Sequence, residues 1–129
     1  MANQFVVQLH NQPGAMATLA EALAARGVDL RAIGGGGIGD SGHVIMTTAD
    51  DEATKQVLEA GGYTFIEGES ILAEVDDKPG GMARLSRALA DAGVNIYGHL
   101  FLGRWGDRAM FAFIVDDPER ARPILERKG

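Results

Sequence analysis

The chain of 129 residues contains no cysteine, which excludes a disulfide framework, a thiolate nucleophile and a cysteine-ligated metal site. It is also short of positive charge: 12 lysines and arginines stand against 18 acidic residues, a formal net charge of -6. This balance argues against nucleic acid or a membrane as partner. No apolar stretch approaches the ~20 residues that a membrane-spanning helix needs, and no signal peptide is visible. We therefore expect a cytoplasmic protein.

What the chain does contain is an internal repeat with an offset of 66 residues. NQPGAMA at 11–17 returns as DKPGGMA at 77–83, GVDL at 27–30 returns as GVNI at 93–96, and the Asp-Asp pair at 50–51 returns at 116–117. One repetition at this spacing indicates two copies of one small domain rather than a solenoid of many repeats.

We place the two copies at residues 1–68 and 69–129. Each has about 65 residues, which is near the lower size limit for a stable solitary core. We therefore expect the copies to pack together, and the chain to form a homodimer.

The patterns in the first copy predict the order β-α-β-β-α-β. Gln4–His10 alternates apolar and polar side chains, as a half-buried strand does. A Pro-Gly turn and then an apolar stripe with spacings of three and four, beginning at Met16, predict a helix. A hairpin turn at Gly39–Gly42 separates two further strands. Asp51 is a plausible N-cap of a second helix, and Tyr63–Glu67 follows as the fourth strand.

The second copy repeats this order except for its last strand. Its hairpin turn lies at Trp105–Arg108 and its last helix is capped by Asp117. The counterpart of Gly62 is Lys128, so the copy ends before a fourth strand. The strand at Ser70–Asp76 would then lie at a sheet edge, where another chain can pair. We expect an α+β fold of two ferredoxin-like domains, the second without its last strand.

Together these motifs resemble the ACT domain. The resemblance rests on Asp/Asn-x-Pro-Gly, the apolar helix, Gly-Val-Asn/Asp-Ile/Leu, the glycine-containing hairpin and the Asp-Asp pair, and it covers almost the whole chain. The closest likeness is to small stand-alone bacterial proteins made of two ACT domains. The resemblance implies that a free amino acid binds between two paired ACT domains, and in many relatives this controls a metabolic enzyme.

The repeated loops have the chemistry that an amino acid requires. The residues Gly14–Met16 and Gly80–Met82 open helices, whose unpaired N–H groups and positive dipole end suit the carboxylate. The ammonium needs acceptors, and Asn11 and Asp77 stand two residues before each proline. In the family, the loop of one domain faces the second strand of its partner. The residues that we expect to bind ligand are Asn11, Gln12, Pro13, Gly14, Ala15, Met16, Asp29, Leu30, Asp77, Lys78, Pro79, Gly80, Gly81, Met82, Asn95, Ile96 and Tyr97. Ile33, Gly98 and His99 are further candidates for the side-chain pocket.

The two copies differ where the ligand would bind. By resemblance Asp77 works with Asp29, which offers two negative acceptors for one ammonium, whereas Asn11 works with Asn95, which offers two neutral ones. We therefore expect unequal sites, with tighter binding on the Asp77 side. The alternative is that Asp29 and Asn95 only terminate the turn between helix and strand.

Other candidate sites have simpler explanations. The three histidines share no metal-ligand spacing, so we expect neither a metal nor a cofactor. The run Gly34–Gly39 precedes a hairpin and lacks the lysine and serine of a phosphate-binding loop. A flexible strand end or a bulge is the better interpretation, with a ligand-gated hairpin as the alternative.

The leading hypothesis is a non-enzymatic regulatory protein that senses a free amino acid. The alternative is a dimerisation or interaction module that acts as the regulatory subunit of a biosynthetic enzyme, with a degenerate ligand site. A small enzyme is a third hypothesis, but no catalytic constellation is evident in the sequence.

Overall fold

The computed structural model describes residues 3–126, which form an α+β fold of seven strands and four helices. The elements are β1 (Asn3–His10), α1 (Ala15–Ala25), β2 (Leu30–Ile38), β3 (Ser41–Thr48), α2 (Asp51–Ala60), β4 (Phe65–Glu69), β5 (Ile71–Asp76), α3 (Gly81–Asp91), β6 (Ile96–Trp105), β7 (Arg108–Val115) and α4 (Pro118–Leu125). The chain divides into two compact units, residues 1–68 and 69–129. No helix in residues 3–126 is long and apolar enough to cross a membrane.

The first unit holds a four-stranded sheet with the strand order β2-β3-β1-β4, and β3 runs antiparallel to both β1 and β2. The predicted alternation in β1 is confirmed, because Phe5 and Val7 are fully buried while Gln8 is exposed. Leu19 and Leu23 of α1 complete the core from the helix side. The apolar face of β1 and the apolar face of α1 thus pack together in one core.

The second unit holds a three-stranded sheet with the strand order β5-β7-β6. Its core is built from Ile71, Leu89, Phe113 and Leu125, each at most 1% exposed. The described residues contain no fourth strand for this sheet, and β5 lies at its edge, as predicted. Lys128, on which the sequence argument depended, lies outside the described residues.

The repeat loses its fixed offset inside β6. The pairing of β6 with β7 shifts register between Phe101 and Gly103, so Leu102 is one extra residue on that strand. An extra residue of this kind is a β-bulge. From there on, equivalent positions are 67 residues apart, and the two hairpin turns are Gly39-Asp40 and Gly106-Asp107. Each glycine has a positive φ, 59° and 60°, as the first central residue of a tight hairpin turn requires.

The bulge makes one of the two predicted helix caps wrong. Asp50, not Asp51, caps α2, and its carboxylate accepts a hydrogen bond of 3.0 Å from the amide of Ala53. Asp117 caps α4 in the same way, as predicted. Asp51 is the first residue of the helix and accepts a hydrogen bond of 2.9 Å from the amide of Asn3. The fixed 66-residue offset had matched Asp51 to Asp117.

The glycine run is a regular part of β2. Gly34 to Gly37 pair in register with Ile45 to Gly42 of β3, and the register shift of β2 lies earlier, between Leu30 and Ala32. The prediction of a bulge at the glycines is therefore wrong, whereas that of a flexible strand end stays a prediction. A Cβ on Gly35 would lie 2.4 Å from the carbonyl oxygen of His43, so β2 approaches β3 here more closely than a side chain allows.

Candidate functional site

Both Pro-Gly loops open a helix through a glycine in the left-handed conformation. Gly14 has φ 89° and Gly80 has φ 90°, and neither helix has a side-chain cap. A residue with a side chain is strained at such a φ, so the glycine fixes the shape of each loop. The carbonyls of Gly14 and Gly80 each accept the first helical hydrogen bond, at 2.9 Å. The loops are therefore alike in backbone geometry.

In the first unit, Asn11 fastens the Pro-Gly loop to the neighbouring hairpin turn. Its backbone amide donates to the carbonyl of Asp40 (3.0 Å), and its side-chain amide donates to the carbonyl of Gly39 (2.9 Å). The carboxamide lies over Gly37, where a Cβ would come within 2.6 Å of the Asn11 Cγ. The glycine at 37 is therefore what gives the Asn11 side chain its space.

In the second unit, Asp77 also fastens its loop to the hairpin, and its side chain does so through an ion pair. Its backbone amide donates to the carbonyl of Asp107 (2.8 Å), and its carboxylate lies 2.8 Å from Nε of Arg104. Arg104 lies two residues before the hairpin glycine, which is the position of Gly37 in the first unit. Its guanidinium also lies over the ring of Phe101, 4.8 Å from the centroid.

Asp29 and Asn95 immediately precede β2 and β6, and both make contacts within their own unit. The carboxylate of Asp29 lies 3.3 Å from Nε of Arg31, and both side chains are mostly exposed. The backbone of Asn95 exchanges hydrogen bonds with Asp116, one of them to the Asp116 carboxylate. These contacts support the alternative in which the residues terminate the turn. Each of the two predicted negative acceptors, Asp29 and Asp77, faces a guanidinium of its own unit.

A cleft of about 340 Å³ lies beside the first Pro-Gly loop. It brings together four predicted ligand residues, Asn11, Gln12, Ala15 and Met16, with Ile33. Sequence reasoning missed the rest of its lining, namely Leu9, His10, Gly34, Gly35, Gly36, Gly42, His43 and Val44. The lining contains no lysine, arginine, aspartate or glutamate. Asp29 and Leu30 do not line it.

The predicted residues of the second unit are not gathered in the same way. A cleft of about 300 Å³ is lined by Gly81 together with Asp76, Arg84 and Arg108, which form a cluster of ion pairs. Asp77, Lys78, Pro79, Gly80 and Met82 do not line it. Ile96 packs against the core of this unit, whereas the side chain of Tyr97 is half exposed.

The histidines lie apart from any cluster that resembles a metal site. His10 and His43 line the first cleft, and the ring of His99 packs on Phe113 at 6.1 Å between centroids. Within residues 3–126 no group of three histidine, cysteine or acidic residues has the geometry to hold a metal ion.

Comparison with known proteins finds a family match in the first unit and structural likeness over both units. Residues 4–60 match the family model of the ACT domain. No curated protein sequence matches the chain. The predicted α+β fold of two ferredoxin-like domains is confirmed by solved structures that cover nearly the whole chain.

Three structures illustrate this likeness. A protein of Bacteroides thetaiotaomicron has a TM-score of 0.72 at 18% identity, over 97% of this chain and 86% of that one. The ligand-free regulatory subunit of aspartate kinase from Thermus thermophilus has a TM-score of 0.64 at 22% identity, over 97% and 87%. The corresponding subunit from Thermus flavus has a TM-score of 0.63 at 22% identity, over 97% and 90%. At these identities the likeness extends to the fold alone.

Proposed function

We propose that this chain is an ACT-domain protein, and that it is a regulatory protein without enzymatic activity that binds a free amino acid. The observation that carries the proposal is the pair of like loops, each opening a helix at a left-handed glycine and each tied to its own hairpin turn. In the first unit this loop borders a cleft large enough for a small ligand, near the lower end of the ~300–1,000 Å³ usual for such sites.

The ligand-binding residues that we propose are the two loops and the starts of the second strands. Asn11–Met16 and Asp77–Met82 would supply N–H groups to the carboxylate and oxygen acceptors to the ammonium. Asp29–Leu30 and Asn95–Tyr97 would face the loops where two ACT domains meet, as the family resemblance implies. An amino acid has about ten heavy atoms, so roughly 0.7 kcal/mol per atom gives a Kd of about 10 μM.

Titration of the protein with each of the twenty amino acids, by calorimetry and by thermal shift, tests the proposal. We expect one or a few of them to raise the melting temperature, because a ligand that binds only the folded state stabilises it by mass action. At a concentration of 100 times Kd the stabilisation is about 2.7 kcal/mol. The absence of any heat or shift at millimolar concentration, for all twenty, would refute amino-acid binding.

The second candidate is a regulatory subunit that binds an amino-acid metabolic enzyme, with a degenerate ligand site. The ion pairs of Asp77 with Arg104 and of Asp29 with Arg31 favour it, because an ammonium would share each carboxylate with a guanidinium. We expect the sensor to form a homodimer and any captured enzyme to respond to the amino acid. Light scattering and pull-down, each with and without the amino acid, separate the candidates, since capture without ligand dependence supports the degenerate subunit.

A further inference from the structure

The edge strands β2 and β6 are equivalent in the two units but carry different side chains at equivalent positions. Gly35 pairs with Val44 in the first unit and Phe101 pairs with Phe111 in the second, which makes Gly35 and Phe101 equivalent. By the same pairing Gly37 corresponds to Arg104. At these two positions β2 therefore has glycines, whereas β6 has a phenylalanine ring and a guanidinium.

In the second unit these side chains cover the strand edge. The Phe101 ring packs edge-on against the Phe111 ring, with 5.5 Å between centroids. The Arg104 guanidinium lies over the Phe101 ring at 4.8 Å and reaches the Asp77 carboxylate at 2.8 Å. An apolar group and a cation, held together, thus occupy the space beside the second Pro-Gly loop.

In the first unit the same space is open and forms the cleft of about 340 Å³. Val44 takes the place of Phe111 beneath it, and Met16, Leu9 and Ile33 add apolar surface. Asn11 stands where Asp77 stands. Because no lysine, arginine, aspartate or glutamate lines the cleft, a ligand with a charged side chain would lose part of its hydration there without gaining one of these counter-ions.

We propose, building on the function proposed above, that this cleft of the first unit binds an amino acid with an apolar side chain, at one molecule per chain. The ligand side chain lies against Val44 as the Phe101 ring lies against Phe111. Its ammonium lies beside the Asn11 carboxamide as the Arg104 guanidinium lies beside Asp77. In the second unit Phe101 and Arg104 fill the equivalent space themselves. This reverses the expectation from sequence that the Asp77 side binds more tightly.

The experiment fills the cleft and measures binding of leucine, phenylalanine, lysine and aspartate by calorimetry. Ile33 lines the cleft, is half exposed and lies on the same strand face as Gly35, so Ile33→Trp adds ring surface there without disturbing the core. Ile38→Trp is the matched control, since Ile38 lies on the same strand, is 90% exposed and does not line the cleft. Ile33→Trp is expected to weaken binding of leucine or phenylalanine at least tenfold, and Ile38→Trp less than twofold.

A second variant tests the same surface by removing apolar contact. Ile33 lines the cleft and is half exposed, so Ile33→Asn leaves the core intact and should weaken apolar ligands at least threefold. If no amino acid binds the natural protein, the proposed function itself fails. If an amino acid does bind, then a preference for lysine or aspartate, two ligands per chain, or full affinity in both Ile33→Trp and Ile33→Asn would overturn only this inference.

Discussion

Replacing Leu89 by alanine is expected to lower the free energy of unfolding by about 3–5 kcal/mol. Leu89 is fully buried on α3 and packs in the core with Ile71 and Phe113. Its removal takes apolar surface from the core and leaves a cavity that the neighbours fill only in part. The sheet of this unit has three strands among the described residues, so we expect little reserve of stability. Urea denaturation followed by circular dichroism measures the loss.

The repeat supplies a matched comparison for this substitution. Leu23, 66 residues earlier, is also fully buried, but it packs in a unit whose sheet has four strands. Leu23→Ala should therefore cost less than Leu89→Ala, about 2–4 kcal/mol. Leu72→Ala is the control for the same substitution outside the core, because Leu72 is 43% exposed. It should lower the free energy of unfolding by less than about 1 kcal/mol. An equal loss at Leu72 and Leu89 would contradict the assigned core.

The sequence predicted most of the fold because its local patterns agree with the tertiary structure. The alternation in β1 and the helical stripe that includes Leu19 and Leu23 are both direct consequences of burial on one face. Counting residues predicted that β5 lies at a sheet edge, and in the described part of the second unit the strand order β5-β7-β6 places it there. Each of these inferences needs only patterns that are continuous along the chain.

The bulge at Leu102 could not be predicted in this way. One extra residue in β6 leaves the apolar character of the strand unchanged, and its effect appears only in the pairing with β7. The fixed offset therefore matched Asp51 to Asp117, although Asp50 is the residue that caps α2. Counting back from the Gly-Asp of each hairpin turn, rather than from a constant offset, would have revealed it.

The sequence predicted the loop residues of the candidate site but not the strand residues that line the cleft beside the first loop. Asn11 and Asp77 were found because they recur beside Pro-Gly. The cleft arises from side chains that are absent at Gly34 to Gly36, and a glycine run in a sequence is more readily interpreted as flexibility. The Asp77–Arg104 ion pair joins the loop after β5 to β6, so no local sequence pattern predicts it.

Asn11→Ala is expected to weaken amino-acid binding by about 10- to 30-fold, which is about 1.4–2 kcal/mol, and to do so more than Asp77→Ala. The Asn11 carboxamide borders the open cleft and fastens the Pro-Gly loop to the hairpin turn through the carbonyl of Gly39. The Asp77 carboxylate is already paired with Arg104, so its removal takes away an internal ion pair before it takes away a ligand contact. An ion pair between one exposed and one partly exposed side chain, as here, contributes on the order of 1 kcal/mol to stability.

Calorimetry of both variants with the amino acid that binds the natural protein gives the ranking, and thermal unfolding shows whether each variant is folded. Asn11→Asp is the informative intermediate, because a carboxylate keeps an acceptor for the ammonium but cannot donate to the carbonyl of Gly39. If Asn11→Asp binds better than Asn11→Ala, the acceptor matters. If Asp77→Ala proves the more damaging substitution, the ligand lies beside the second loop and the interpretation of Arg104 as its substitute is wrong.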